Sequence, residues 1–295
     1  MSNQRSTAIV TASYAPDFER CRLLCDSIDR HVNGFTCHYL LVEAADVALF
    51  KALEGPKRHV IDERELLPTW LKAYPDPLSL GRRRVWLSLK SPPLRGWHTQ
   101  QLRRIAIAKH RNEDAFFYCD SDTVFMRDFN VPTLWEDGDL RLFRRDHALA
   151  KYKEGDNHTI WAKNAADILG IGSTDIPDHD YIGTLIAWRR DTMLDMCDHI
   201  EATTGKNWVA AVASRRRFSE CLIYGQFADT VCQQRGHFVD QQELCQMFWL
   251  EPLPSRADFV SVVKAMEQHK VAIGIQSFLS ANVSEIRELI AAAEV

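Results

Sequence analysis

Apolar positions along the first third of the chain switch between two periods. Thr7 to Ser13 is a short apolar run of strand length, broken by Tyr14-Ala15-Pro16. Phe18, Cys21, Leu24, Cys25 and Ile28 then recur at helical spacing after Asp17, and Asn33-Gly34 closes the helix. Phe35 to Val42 predicts a second strand ending at Glu43, Ala44 to Leu53 a helix, and Arg58 to Ile61 a third strand ending at Asp62. This strand–helix–strand–helix–strand opening is the pattern of a nucleotide-binding half-sheet. From Leu67 to Trp97 the periodicity fades. Pro68, Pro75, Pro77, Pro92 and Pro93 punctuate that stretch, and Arg82, Arg83, Arg84, Lys90 and Arg95 lie between them. The expectation is a long irregular segment of the kind that serves as an active-site loop. A helix then opens at Trp97 or Thr99 and runs to His110. Leu102, Ile105, Ala106 and Lys109 share one of its faces, and Gln100 and Arg103 lie on another, one turn apart.

That helix delivers the chain to Ala115-Phe116-Phe117-Tyr118-Cys119-Asp120-Ser121-Asp122-Thr123-Val124-Phe125. An uninterrupted apolar run of this length reads as a central parallel strand buried on both faces. Two carboxylates cannot continue inside such a sheet without partners, so Asp120 and Asp122 mark where the strand leaves it. Ligands of open α/β folds collect at the carboxyl ends of strands. At period two, both carboxylates face the same crevice, with the small Ser121 between them. Two hard oxygen ligands there suit Mg²⁺ or Mn²⁺ shared with substrate phosphates.

The texture changes beyond Phe125. Asp137-Gly138 predicts a turn, Leu140 to Phe143 a strand, Ile160 to Leu169 a helix, and Ile182 to Trp188 a strand preceded by Asp178-His179-Asp180-Tyr181. Asp191 to Thr203 reads as a helix. Glu220 stands at the start of the apolar helical stretch Cys221 to Phe227, Val271 to Ile275 reads as a strand, and Asn282 with Glu285 forms a capping box for a last helix. No repeat or linker divides the chain. The simplest organisation is one α/β domain over residues 1–295, with 1–139 a nucleotide-binding half and 140–295 a second half.

Composition narrows the class. With 295 residues, 46% hydrophobic and 26% charged, the chain is globular rather than disordered. A net charge of −4 gives no bulk attraction to nucleic acid or anionic membrane. The polar start Met1 to Thr7 carries no signal-peptide pattern, and no apolar run is long enough to span a bilayer, so a cytoplasmic protein is expected. The eight cysteines include no C-x-x-C pair and read as reduced, buried thiols.

The ordered set of motifs resembles the GT-A class of glycosyltransferases, and within it a little-characterised bacterial family. The matching stretches are Ala8 to Asp17, Trp97 to Leu102, Phe117 to Asp122 with its D-x-D element, and Ser219 to Gly225. The resemblance implies a Rossmann-type, mostly parallel central sheet flanked by helices. It implies transfer of a sugar from a nucleoside diphosphate donor of UDP or GDP type to a glycan or lipid-linked acceptor. By analogy the acceptor is a precursor of bacterial surface polysaccharide, made at the inner membrane face with peripheral membrane association. Nucleic acid is not an expected partner. The implied cofactor is Mn²⁺ or Mg²⁺, with Asp122 as ligand, Asp120 contacting ribose or sugar and reaching the metal through water, and Gln276 or water where relatives carry a histidine. Thr11, Ser13 and Tyr14 would meet the nucleoside, Glu43 a base N–H, and Gln100, Arg103, Asp120 and Ser121 the rest of the donor. Glu220 or Asp180 would be the general base for the acceptor hydroxyl. Two rivals stand beside this. A haloacid-dehalogenase-like phosphatase also carries paired Asp after an apolar strand, but Val124 replaces its usual Thr and the motif lies late in the chain. A non-catalytic nucleotide- or sugar-binding protein is the other.

Overall fold

The computed structural model describes residues 5–80, 83–248, 254–276 and 282–293. The chain is mixed α/β around a five-stranded, mostly parallel sheet. Its strands are β1 (Thr7–Ala12), β2 (His38–Val42), β3 (Arg58–Asp62), β4 (Ala115–Cys119) and β5 (Leu185–Arg189). They lie in the order β5-β4-β1-β2-β3. β4, β1, β2 and β3 run parallel, and β5 closes the edge antiparallel to β4, with Leu185 opposite Cys119.

Every residue of β1, β2 and β4 is buried, which is why these strands lack polar alternation. The pleat sends Phe116 and Tyr118 into one apolar cluster and Ala115, Phe117 and Cys119 into another on the opposite face. Helix α1 (Phe18–His31) connects β1 to β2 and buries Cys21, Leu24, Cys25 and Ile28, the stripe expected from their spacing. Helix α2 (Gly96–Ala106) leads into β4. Helices α3 (Asn157–Leu169) and α4 (Arg190–Thr204) flank the other half, and the short α5 (Glu220–Gln226) is buried throughout. Among the described residues no helix is long and apolar enough to cross a membrane. All eight cysteines are free thiols, and only Cys232 is not buried.

A second sheet begins where β4 ends. Residues Thr123–Phe125 pair antiparallel with Ala272–Ile275, which pairs parallel with Cys245–Phe248. Gly274 lies opposite Thr123 in that register. A Cβ there would come within 2.3 Å of Met247 Sδ, so a larger residue would push that thioether aside.

Several expectations are corrected. The stretch Leu67 to Trp97 is not irregular: Lys72–Pro75, Arg84–Leu87 and Leu94–Arg95 form an antiparallel sheet anchored by the buried Trp86 and Leu94. Proline on its edge positions and the short strands hid the alternation. Arg82 lies outside the described residues. The helix expected over Ala44 to Leu53 shrinks to Val47–Phe50 and a 3₁₀ turn at Lys51–Leu53, because the Asp46 N–H turns back onto the Glu43 carbonyl at 2.8 Å. The strand expected from Ile182 starts at Leu185, because the carboxylate of Asp180 accepts from the Ile182 N–H and holds that stretch out of the ladder. The capping box is formed: the Glu285 N–H donates to Asn282 Oδ1 at 2.9 Å, and the Asn282 N–H to Glu285 Oε2 at 3.2 Å.

Candidate functional site

The carboxyl ends of β1, β2 and β4 present Ser13, Glu43 and the Asp120–Asp122 turn on one side of the sheet, as parallel strands must. A cavity of about 740 Å³ opens there. Ser13, Tyr14, Glu43, Gln100 and Arg103 all line it, so five of the residues expected to bind a donor meet at one place. The sheet around Arg84 folds over it and adds Arg83, Arg84 and Arg95, giving the rim a positive bias. Thr11 is not part of the lining. It is fully buried beneath, its hydroxyl hydrogen-bonded with His38 Nε2 at 3.0 Å.

The floor of the cavity holds charge in an uncomfortable state. Arg103 is 2% exposed, and its Nη1 stands 3.8 Å from Glu63 Oε2, beyond hydrogen-bond reach. Arg103 Nε and Nη1 have no hydrogen-bond partner. Each unmade bond of a buried donor costs about 1–3 kcal/mol, more for a charged group. Burial pushes the Glu43 carboxyl up to about 7; Arg103 opposes this, while Glu63 and Asp46 add to it. Asp17, also in the lining, lies near Ser121, which places the cavity wall close to the turn between the paired aspartates.

Asp120 belongs to a second charge group. Arg104 Nη1 lies 3.0 Å from Glu220 Oε1 and 3.6 Å from Asp120 Oδ1. The guanidinium sits over the Tyr118 and Trp188 rings, with Cζ 4.7 and 5.5 Å from their centroids. The Glu220 N–H donates to Gln101 Oε1 at 3.0 Å, which fixes the start of α5 against α2. Burial raises the pKa of both carboxyls, and Arg104 pulls both back down. The Glu220 side chain is 6% exposed, whereas that of Asp120 is 41% exposed and open to a ligand. The Ile275 N–H donates to the Asp122 carbonyl at 3.0 Å, so Gln276 follows the strand beside the paired aspartates. Asp120, Asp122 and Gln276 would together offer only oxygen donors, the type that suits Mg²⁺ or Mn²⁺.

Over residues 6–292 the chain matches the family described as "Family of unknown function (DUF6492)". It belongs to that family. No curated protein matches it.

In this DUF6492 member Asp180 is not at the cavity. It is fully buried, with Arg145 Nη2 at 2.8 Å and His158 Nδ1 at 3.3 Å from its Oδ2, and the Ile182 N–H donating to its Oδ1 at 3.1 Å. Burial raises its pKa, but these partners outweigh burial and leave it below the usual carboxylate range. Both oxygens are committed to these partners. His237 is likewise committed, with Nε2 2.8 Å from the Tyr224 hydroxyl, and burial depresses its pKa to about 4. The site also contains residues that sequence reasoning passed over. Arg104 was masked by its neighbour Arg103. An aromatic chain extends from the cavity mouth: the Trp97 ring centroid is 5.8 Å from Trp161, which is 5.2 Å from His158, which stacks on Tyr152 at 4.2 Å. The i, i+3 spacing of His158 and Trp161 on α3 was the available signal.

Proposed function

We propose that this protein is a metal-dependent glycosyltransferase of GT-A type, moving a sugar from a UDP- or GDP-type donor to a glycan or lipid-linked acceptor. The observation that carries the reading is the cavity at the strand ends, where Arg103 keeps buried guanidinium nitrogens without partners beside a basic rim. A diphosphate supplies the anionic oxygens that such a fork lacks. Tyr14, 43% exposed, is a face for a base to stack on, and Glu43 is an acceptor for a base N–H. The donor set of Asp120, Asp122 and Gln276 fits Mn²⁺ or Mg²⁺. Bound there, the ion would offset charge on the leaving diphosphate.

The chain's own residues do the rest. Arg104 orients Asp120 and Glu220 together, so the base candidate lies beside the strand-end carboxylates. Burial raises the affinity of Glu220 for a proton, which suits a group that takes one from an acceptor hydroxyl. Asp180, closed in by Arg145 and His158, is not assigned that step. Trp97, 46% exposed at the cavity mouth, offers an apolar face on the acceptor side. The proposed setting is cytoplasmic, at or near the inner membrane face.

The test is calorimetric titration of UDP and GDP, with and without Mn²⁺, into wild type and Asp122→Ala. The expected result is metal-dependent binding of one nucleotide that the substitution abolishes. Folded wild-type protein that binds neither nucleotide would overturn the proposal.

A further inference from the structure

Away from the cavity, two imidazoles and a carboxylate converge where the turn at residues 144–149 meets the segment 178–181. His147 Nδ1 is 2.7 Å from Asp178 Oδ2, and His179 Nδ1 is 3.2 Å from Asp178 Oδ1. One ligand atom from each of the three residues falls within 4.8 Å of the others. Asp146 Oδ1 adds a further oxygen 3.7 Å from His179 Nδ1.

The scaffold under this cluster is already built. The Arg145 N–H donates to the Asp180 carbonyl at 2.7 Å, and the Asp180 N–H returns to the Arg145 carbonyl at 3.0 Å. The Leu149 N–H donates to the Asp178 carbonyl at 2.8 Å. The side chains therefore project from two segments locked together by main-chain bonds. Such preorganisation removes much of the ordering cost of binding an ion.

The hydrogen bonding at His179 is internally at odds. Its Nδ1 accepts from the His147 backbone N–H at 3.2 Å, so that nitrogen presents a lone pair. The same nitrogen faces carboxylate oxygens at 3.2 and 3.7 Å, which also present lone pairs. Protonating Nδ1 would satisfy the carboxylates but set two N–H groups against each other. A cation at that nitrogen would take its one lone pair in place of the His147 N–H and would draw the facing carboxylate oxygens in as further ligands.

We propose that His147, Asp178 and His179, with Asp146 at the margin, form a binding site for a divalent ion of the Zn²⁺ type. Two imidazole nitrogens and a carboxylate are a donor set for a borderline metal. The oxygen-only set at Asp120 and Asp122 is one for Mg²⁺ or Mn²⁺, so the two places sort ions by donor chemistry. The ion would staple the turn carrying Arg145 to the segment carrying Asp180. This inference does not depend on the glycosyltransferase reading.

The probe is Zn²⁺ alone, titrated into chelator-stripped protein in competition with a chromophoric chelator. Wild type is expected to bind one equivalent. His147→Gln and His179→Gln are each expected to weaken binding by roughly tenfold or more, as loss of one of three ligands implies. Asp122→Asn is expected to bind Zn²⁺ as wild type does, which separates this site from the strand-end one. The His147 side chain is 76% exposed and that of His179 20% exposed, and circular dichroism checks that both variants fold. No stoichiometric Zn²⁺ binding by wild type, or binding that survives both histidine substitutions, overturns the proposal.

Discussion

Glu43 makes a prediction whose sign is unusual for a carboxylate at a strand end. Burial lifts its pKa from 4.5 to about 7, against the pull of Arg103. Between those values the folded chain holds a proton that the unfolded chain has lost. Stability therefore falls as pH rises through that window and levels off above about 7. One pKa step is worth about 1.4 kcal/mol, so with allowance for residual solvent the ionised group costs the fold about 2–3 kcal/mol. Glu43→Gln mimics the protonated form at every pH. It should raise stability by less than about 1 kcal/mol at pH 5 and by about 2–3 kcal/mol at pH 8. For a chain of this size that is a rise in Tm of about 3–5 °C. Urea denaturation of both proteins at the two pH values is the assay. An equal effect at pH 5 and pH 8, or destabilisation at pH 8, would refute the burial argument. The same group reports on ligand contact. A base N–H that donates to Glu43 favours its ionised form, so nucleotide binding near pH 6.5 should release a proton. Titrations in buffers of different ionisation enthalpy measure that release, and its absence would remove Glu43 from base recognition.

Two further outcomes follow from packing and charge. Arg104→Met leaves Asp120 and Glu220 without their shared cation and should cost about 3–5 kcal/mol, of which adding Glu220→Gln recovers a part; a double-mutant cycle by urea denaturation reads the coupling, and additive losses would contradict it. Gly225 lies against the Tyr181 ring, where a Cβ would come within 2.0 Å of Cγ. Gly225→Ala should therefore destabilise by about 2–3 kcal/mol despite its better helix propensity. A neutral effect on Tm would show that Tyr181 can move away.

The central sheet was legible because its strands are buried on both faces and so read as unbroken apolar runs, Ala115 to Cys119 above all. Burial of that run also forced the paired aspartates to the strand end. The convergence of Ser13, Tyr14, Glu43, Gln100 and Arg103 followed from strand ends sharing one side of a parallel sheet and from i, i+3 spacing on α2. The rest depended on distances that no local pattern carries. The sheet over Lys72 to Arg95 has strands of two to four residues separated by prolines, too short to show a period. His147 and His179 are remote in the chain and meet only because Arg145 and Asp180 pair their backbones. Asp180 looked like a candidate base because its partners, Arg145 and His158, are equally remote in sequence.

Arg103 and Arg104 separate what a charge pattern alone would have merged. Consecutive residues on a helix point about 100° apart. On α2 the first therefore enters the cavity toward Glu63 and Glu43, and the second enters the interior between Asp120 and Glu220. Buried ion pairs are poor stabilisers, since apolar residues of equal volume fill such space at lower cost. Burial alone does not mark a site, because Asp180 is as buried as either arginine. Saturation does. Both oxygens of Asp180 have partners, as a structural charge requires. Arg103 leaves Nε and Nη1 without a hydrogen-bond partner, and Arg104 leaves Nε and Nη2 so. Arg103 and Arg104, aimed to either side of one helix, thus keep buried guanidinium nitrogens without partners, which is what the proposed diphosphate contact asks of Arg103.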